Sequence, residues 1–380
     1  MTGVLKPIFD PKIQYARPRP PAVWLAPASG ALTDTRDTAA GTASVDLPPL
    51  TSWTAFPGPA VVSDPLAKGF YDGGDGYLYC TELRTDLFWR FDKSNPTAGW
   101  TALATAPTFT IASGRGFGAP DANGIHTGLI GGDIWANLNY QNPTTDLSWN
   151  NKTTGAELGQ VSTGYSYYTL SIPSHGIFCT SDGNTNGKVS SFSATTHSLL
   201  NQSSAFAGGA ASQAWDYHNE HLWVIDGAFT DVRKLSPTMT TLQTVIGGGN
   251  GFNDIFMDHR DGQFLYCPAK NGSIRTVNTS TYAINTYTSV FGPLSNYCRG
   301  IHVNHYLYLI DGFGAAGIPA SYKISIIDTD TMTLVEELSG WSPAHTYSEG
   351  FAYDGTYIWM FGQNHDTGTY SPPTLRLETA

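Results

Sequence analysis

Charge is scarce in this chain. Asp, Glu, Lys and Arg make up 13% of its 380 residues, and cations are the rarer kind, 20 Lys and Arg against 31 Asp and Glu. A net charge of −11 and a pI near 5.2 leave no basic footprint for a phosphate backbone, which excludes nucleic acid as a partner. Long apolar runs are absent as well: no stretch approaches the eighteen or so residues of a membrane span, and the N-terminus lacks the apolar core of a secretory signal. The expectation is a soluble chain made in the cytoplasm, with no membrane insertion. Signatures of common chemistry are also lacking. There is no G-x-S-x-G elbow, P-loop or nucleotide fingerprint in a strand–helix setting, and Ser181-Asp182-Gly183-Asn184-Thr185-Asn186-Gly187 lacks the aromatic end of an Asp box.

Gly, Thr, Ser, Asn and Tyr are abundant instead, which suits short strands and tight turns. One phrase returns six times: an apolar strand end, a Thr/Ser/Asn/Asp/Pro turn, then a second strand. Its copies are Phe91-Asp92-Lys93-Ser94-Asn95-Pro96, Tyr140-Gln141-Asn142-Pro143-Thr144-Thr145, Phe192-Ser193-Ala194-Thr195-Thr196-His197, Leu235-Ser236-Pro237-Thr238-Met239-Thr240, Val277-Asn278-Thr279-Ser280-Thr281-Tyr282 and Ile327-Asp328-Thr329-Asp330-Thr331-Met332. A spacing of 42 to 52 residues is the period of a four-stranded propeller blade and too long for most helical solenoid repeats. Aromatic strands stand upstream of the turns, among them Gly76-Tyr77-Leu78-Tyr79, His221-Leu222-Trp223-Val224-Ile225 and Thr356-Tyr357-Ile358-Trp359-Met360.

Matching these strands places blades at 61–105, 116–155, 160–205, 208–246, 250–291, 294–339 and 345–380. The fold class is all-β, a seven-bladed β-propeller. The last blade reaches Ala380 without an outer strand, whereas Ser52-Trp53-Thr54-Ala55-Phe56 resembles Gly99-Trp100-Thr101-Ala102-Leu103, the outer strand of the first blade. Residues 51–56 are expected to close the ring by completing the seventh blade, with Trp53 and Phe56 meeting Leu375 and Leu377.

Residues 1–50 differ in kind and are assigned to an extended arm, with the propeller over 51–380. The arm holds eight prolines, including Arg17-Pro18-Arg19-Pro20-Pro21, which forbid a continuous helix and favour polyproline conformations. Lys6, Pro7, Tyr15, Arg17, Arg19, Trp24 and Leu25 are its candidate partner-binding residues.

The candidates for chemistry each have a plainer reading. His218-Asn219-Glu220-His221 and His302-Val303-Asn304-His305 space two imidazoles as metal ligands do, but each pair straddles a hairpin turn and no Cys or acidic set joins it. Ordinary turn residues are the favoured reading, and no metal or cofactor is expected. Asp182, Asp226 and Asp311 would suit glycoside hydrolysis if they converged, yet their recurrence before Gly at one blade position argues for turns. Trp223 and Trp359 are assigned to the core, while Trp135, Trp149 and Trp341 lie outside the best-matching strands and are the candidates for stacking on a glycan. Cys80, Cys179 and Cys267 hold equivalent positions on separate blades and read as small buried hydrophobes; Cys298 leaves a pairing with Cys267 open.

Over residues 51–380 the pattern resembles kelch- and WD-like propellers in architecture, without their family signatures. The low charge, the Thr/Asn/Gly/Tyr-rich strands and the Pro-rich arm together resemble structural proteins of tailed bacteriophage particles. That resemblance implies a non-enzymatic tail, nozzle or capsid-decoration component within a virion, docked on other virion proteins through its arm, part of a symmetric assembly and presenting the propeller, with host surface glycan as a further partner. The competing readings are a carbohydrate-binding or carbohydrate-active propeller and an intracellular interaction scaffold.

Overall fold

The computed structural model describes residues 48–58, 67–72, 75–82, 88–103, 126–130, 133–137, 146–162, 168–182, 186–249, 254–269, 271–293, 298–311, 324–338, 351–361 and 374–379. Among these residues lie seven antiparallel four-stranded sheets. Six are simple meanders over residues 67–102, 126–162, 168–202, 210–246, 256–287 and 298–338, here the first to sixth sheets. The seventh joins both ends of the chain: Phe351–Tyr353, Ile358–Phe361 and Thr374–Glu378 are completed by Ser52–Phe56. The innermost strands neighbour one another in chain order, and Phe351–Tyr353 returns to Ala67–Asp72. The architecture is an all-β propeller with two short helical turns among the described residues, Pro96–Ala98 and Pro173–His175.

Alternation along the strands builds the core between sheets rather than within them. In the fourth sheet, Trp215, Leu222, Val224 and Leu235 pack on Leu170, Ile177 and Cys179 of the third. The alternate residues Trp223, Ile225 and Val232 pack on Met257, Leu265 and Val277 of the fifth. The third to seventh sheets each bury both faces in this way, which is why their inner strands read as near-continuous apolar runs.

The repeated phrase is the turn between the third and fourth strands. Asn151, Ser193, Asn278 and Asp328 each accept, through a side-chain oxygen, the N–H groups two and three residues ahead. The residue that follows takes a positive φ: Gly155, His197, Tyr282 and Met332. Such a backbone strains any residue but glycine by about 1–2 kcal/mol. Burial offsets the strain, because the side chain reaches the preceding sheet. His197 stacks on Trp149, Tyr282 lies beside Trp223, and Met332 packs into the cluster between the fifth and sixth sheets.

Two expectations need correction. The second copy of the phrase is Asn150–Gly155, at the turn between the third and fourth strands, and not residues 140–145, which precede Asp146–Asn151 in sequence and lie outside the described residues. Asn150 stands where the other copies carry Phe, Leu, Val or Ile, so the apolar marker is missing there. The second sheet accordingly spans 126–162 rather than 116–155, and Glu157–Ser162 is its outer strand.

Closure of the ring follows the expected pairing, with Trp53 opposite Leu377, Ala55 opposite Leu375 and Phe56 opposite Thr374. Trp53 packs against the cluster holding Leu375 and Leu377. Phe56, Phe91, Trp100 and Trp359 form the interface with the first sheet, with ring centroids 5.3–6.3 Å apart. The buried Trp100 Nε1–H donates to Thr374 Oγ1 at 2.6 Å. Leu50, just before the closing strand, is buried between the sixth and seventh sheets, its N–H bonded to Tyr308 Oη at 2.8 Å.

Candidate functional site

In a meander, the first and third turns lie at one end of a sheet and the second turn at the other. The turn end therefore gathers the innermost hairpins of successive sheets, and a chain of histidines runs along it. His218 of the fourth sheet approaches the carbonyl of His259 at 3.3 Å, and His259 donates its own N–H to Nδ1 of His302 at 3.1 Å. The other ring nitrogen of His302 lies 3.1 Å from Thr329 Oγ1, which donates to the carbonyl of His305 at 2.8 Å. Since Nδ1 accepts and Thr329 donates onward, His302 is the neutral tautomer protonated at Nε2. Burial pushes its pKa well below the ordinary histidine value, although the nearby Asp258 carboxylate pulls the other way.

Asp258 is the second member of this cluster, wholly buried at the mouth of the fifth sheet's first turn. Its Oδ1 accepts from the Arg260 N–H and Nε–H, and its Oδ2 from Arg260 Nη2 and the Tyr266 hydroxyl, at 3.0–3.2 Å. Burial would raise this carboxyl, but the adjacent His302 and the Arg260 fork hold it well below the usual carboxylate range. Arg260 also reaches Asp330 on the sixth sheet at 2.6 Å, and Tyr266 stacks on His302 with centroids 5.0 Å apart. Burial and the Asp258 charge push the Tyr266 hydroxyl far up, so it stays a donor. Every polar atom of Asp258 and His302 is thus committed to protein, which makes the cluster a clamp between sheets.

The histidine and aspartate expectations sort accordingly. His302 is a buried strand residue, which corrects the turn reading for that histidine, whereas His305 lies in the turn as expected. His218 and His221 do flank the turn after Asp216, whose carboxylate accepts the N–H groups of His218 and Asn219. Among the described residues no group of three or more His, Cys, Asp or Glu is placed to hold a metal ion. Asp226 accepts from the N–H groups of Thr230 and Asp231, a turn role; the Asp311 side chain lies outside the described ones. Cys179 and Cys267 are buried, and burial raises the Cys267 thiol to about 12. The side chains of Cys80 and Cys298, and with them the Cys267 pairing, lie outside the described ones.

Trp223 and Trp359 are core, both essentially inaccessible. Trp149 is half-buried: His197 stacks on its indole at 4.3 Å and 9°, and Gly159 lies so close that a Cβ there would run into the ring. A sugar ring would have to displace His197 to stack there. Trp135 pairs with Trp149 in the second sheet but its side chain is not among those described, and Trp341 lies outside the described residues. So do the arm residues Lys6, Pro7, Tyr15, Arg17, Arg19, Trp24 and Leu25.

The rim is the feature that sequence reasoning passed over. The outer strands are Ser52–Phe56, Trp100–Ala102, Glu157–Ser162, Leu199–Gln202, Thr241–Ile246, Ile284–Tyr287 and Thr333–Leu338, and none contains Lys, Arg or Pro. Those residues are the usual guards of an unpaired edge. From the second to the sixth sheet these strands carry the large exposed apolar side chains of the described residues: Leu158, Leu199, Leu200, Leu242, Ile246, Tyr287, Leu334 and Val335. Ile246 is 79% exposed. The signal was present in sequence as cation-free segments directly after each turn phrase. Among the described residues no helix is long and apolar enough to cross a membrane. No protein-family model matches the chain, and no curated protein matches it.

Proposed function

We propose that the chain is a non-enzymatic structural protein, a seven-bladed propeller of a tailed bacteriophage particle that serves as a tail, nozzle or capsid-decoration component. Residues 1–50 are its docking arm toward other virion proteins in a symmetric assembly. The observation that supports this reading is the rim: apolar side chains recur on the outer strands of five consecutive sheets, beyond which no strand lies among the described residues, and these strands carry no cation or proline. Monomeric proteins rarely leave such surface uncovered, whereas subunits of assemblies bury it. The clamp of Asp258, Arg260, His302 and Thr329 fits the same role, since it spends its polar groups on rigidity.

Sedimentation of the purified protein across concentration, run beside glycan binding and turnover assays, tests the proposal. Concentration-dependent association without glycan turnover is the expected result. A monomer at all concentrations that cleaves or tightly binds a glycan would overturn it in favour of a carbohydrate-directed propeller.

A further inference from the structure

We infer that the outer strand of the sixth sheet, Thr333–Leu338, is a docking edge for residues 12–19 of a neighbouring copy of this chain. The inference rests on the assembly reading above and adds the partner and the place. This strand differs from the other rim strands in joining two exposed apolar residues, Leu334 and Val335, to two exposed acids, Glu336 and Glu337. Its outer edge has no strand beside it among the described residues.

Charge selects the occupant. A second copy of the same edge would set glutamates against glutamates, which repel. Residues 1–27 are the opposite: Lys6, Lys12, Arg17 and Arg19 stand against Asp10 alone, in a chain whose net charge is −11. Within them, Lys12-Ile13-Gln14-Tyr15-Ala16-Arg17 offers two alternating apolar residues flanked by cations, and it is free of proline. Laid parallel to Thr333–Leu338 with Tyr15 opposite Leu334, it sets Ala16 opposite Val335 and Arg17 opposite Glu336, over a length that suits a rim strand. The chain already uses its N-terminal part in this way, because Ser52–Phe56 adds as an outer strand to Thr374–Glu378.

Length argues for a neighbour's edge. Leu50 is bonded to Tyr308 of the sixth sheet, so its own edge lies close to the root of the arm. The thirty residues between Arg19 and Leu50 span up to about 100 Å when extended. A ring of this size is on the order of 50 Å across, so the spacer far exceeds the local need and suffices to reach the next subunit.

Charge reversal in the full-length chain tests the inference, read as the sedimentation constant of association. Glu336→Lys with Glu337→Lys, and separately Arg17→Glu with Arg19→Glu, are each expected to weaken association roughly tenfold while leaving the melting curve unchanged. Mixing the two variants in equal amounts should restore association, because acidic arms then meet basic edges on different molecules. Restoration only when all four changes share one chain would mean that the arm caps its own ring, and would overturn the inference. Association untouched by either reversal would also overturn it while leaving the assembly reading standing. No association by any chain, wild type included, removes both.

Discussion

Acidification should weaken the fold through His302. Its imidazole is buried and neutral, with Nδ1 taken by the His259 N–H and Nε2 spent on Thr329. Around it stand Asp258, Arg260, His259, His305 and Tyr266, and burial outweighs the attraction of Asp258. The folded pKa therefore lies below the unfolded value of about 6.5. The sign follows directly: above that pH the ring is neutral in both states and the clamp stabilises fully. As pH falls below about 6.5 the unfolded chain takes up a proton that the folded chain refuses, and stability declines by about 1.4 kcal/mol per pH unit for one proton. Between pH 6.5 and 5.0 the loss is about 2 kcal/mol, provided the folded ring is still neutral at the lower limit. Urea unfolding of the wild type and of His302→Gln at pH 7.5, 6.5, 5.5 and 5.0 measures it. Glutamine can accept from His259 and donate to Thr329 but cannot titrate, so the variant should lose about one proton's worth of slope. Parallel pH profiles for the two proteins would refute the neutral, proton-refusing state of His302.

Further outcomes follow from the clamp, the turns and the closure. Arg260→Ala leaves the Asp258 carboxylate buried without its fork and should cost about 3–5 kcal/mol in urea unfolding at pH 7.5. Met239→Gly relieves a positive φ yet empties a buried site between the third and fourth sheets, so the net effect should be a loss of about 1–3 kcal/mol. Ser289→Gly relieves the same strain at an exposed position and should stabilise by up to about 1 kcal/mol; calorimetry on the pair separates strain from packing. Deleting residues 1–60 removes the closing strand and its pairing with Thr374–Glu378, so the whole ring should melt markedly earlier, and an unchanged cooperative melt would contradict closure.

The blade period and the closing strand were legible in sequence because both rest on local patterns: Asx-type turns at fixed offsets and the likeness of Ser52–Phe56 to Trp100–Ala102. The second blade slipped for a local reason too. Asn150 replaced the apolar residue that marks the phrase elsewhere, and Tyr140-Gln141-Asn142-Pro143 offered a convincing turn one hairpin too early. The clamp was illegible because its members come from the first turn of one sheet, the inner strand of the next and that sheet's third turn. Nothing in the local sequence of His302 states that Thr329 and His259 will meet it. A His in the otherwise largely apolar strand Cys298–Val303 was the available hint. The rim was readable in principle, since it is an absence of Lys, Arg and Pro from segments already located, but only strand order shows those segments to be edges.

In the proposed assembly the cation-free rim is a covered surface. Ile246→Lys addresses it directly, because this side chain is the most exposed of the large apolar residues described and ends the outer strand of the fourth sheet. Sedimentation and thermal unfolding should be measured together on this variant. A melting curve unchanged within about 0.5 kcal/mol, as for an exposed site, is expected together with a clear loss of association. Association equal to that of the wild type would contradict it.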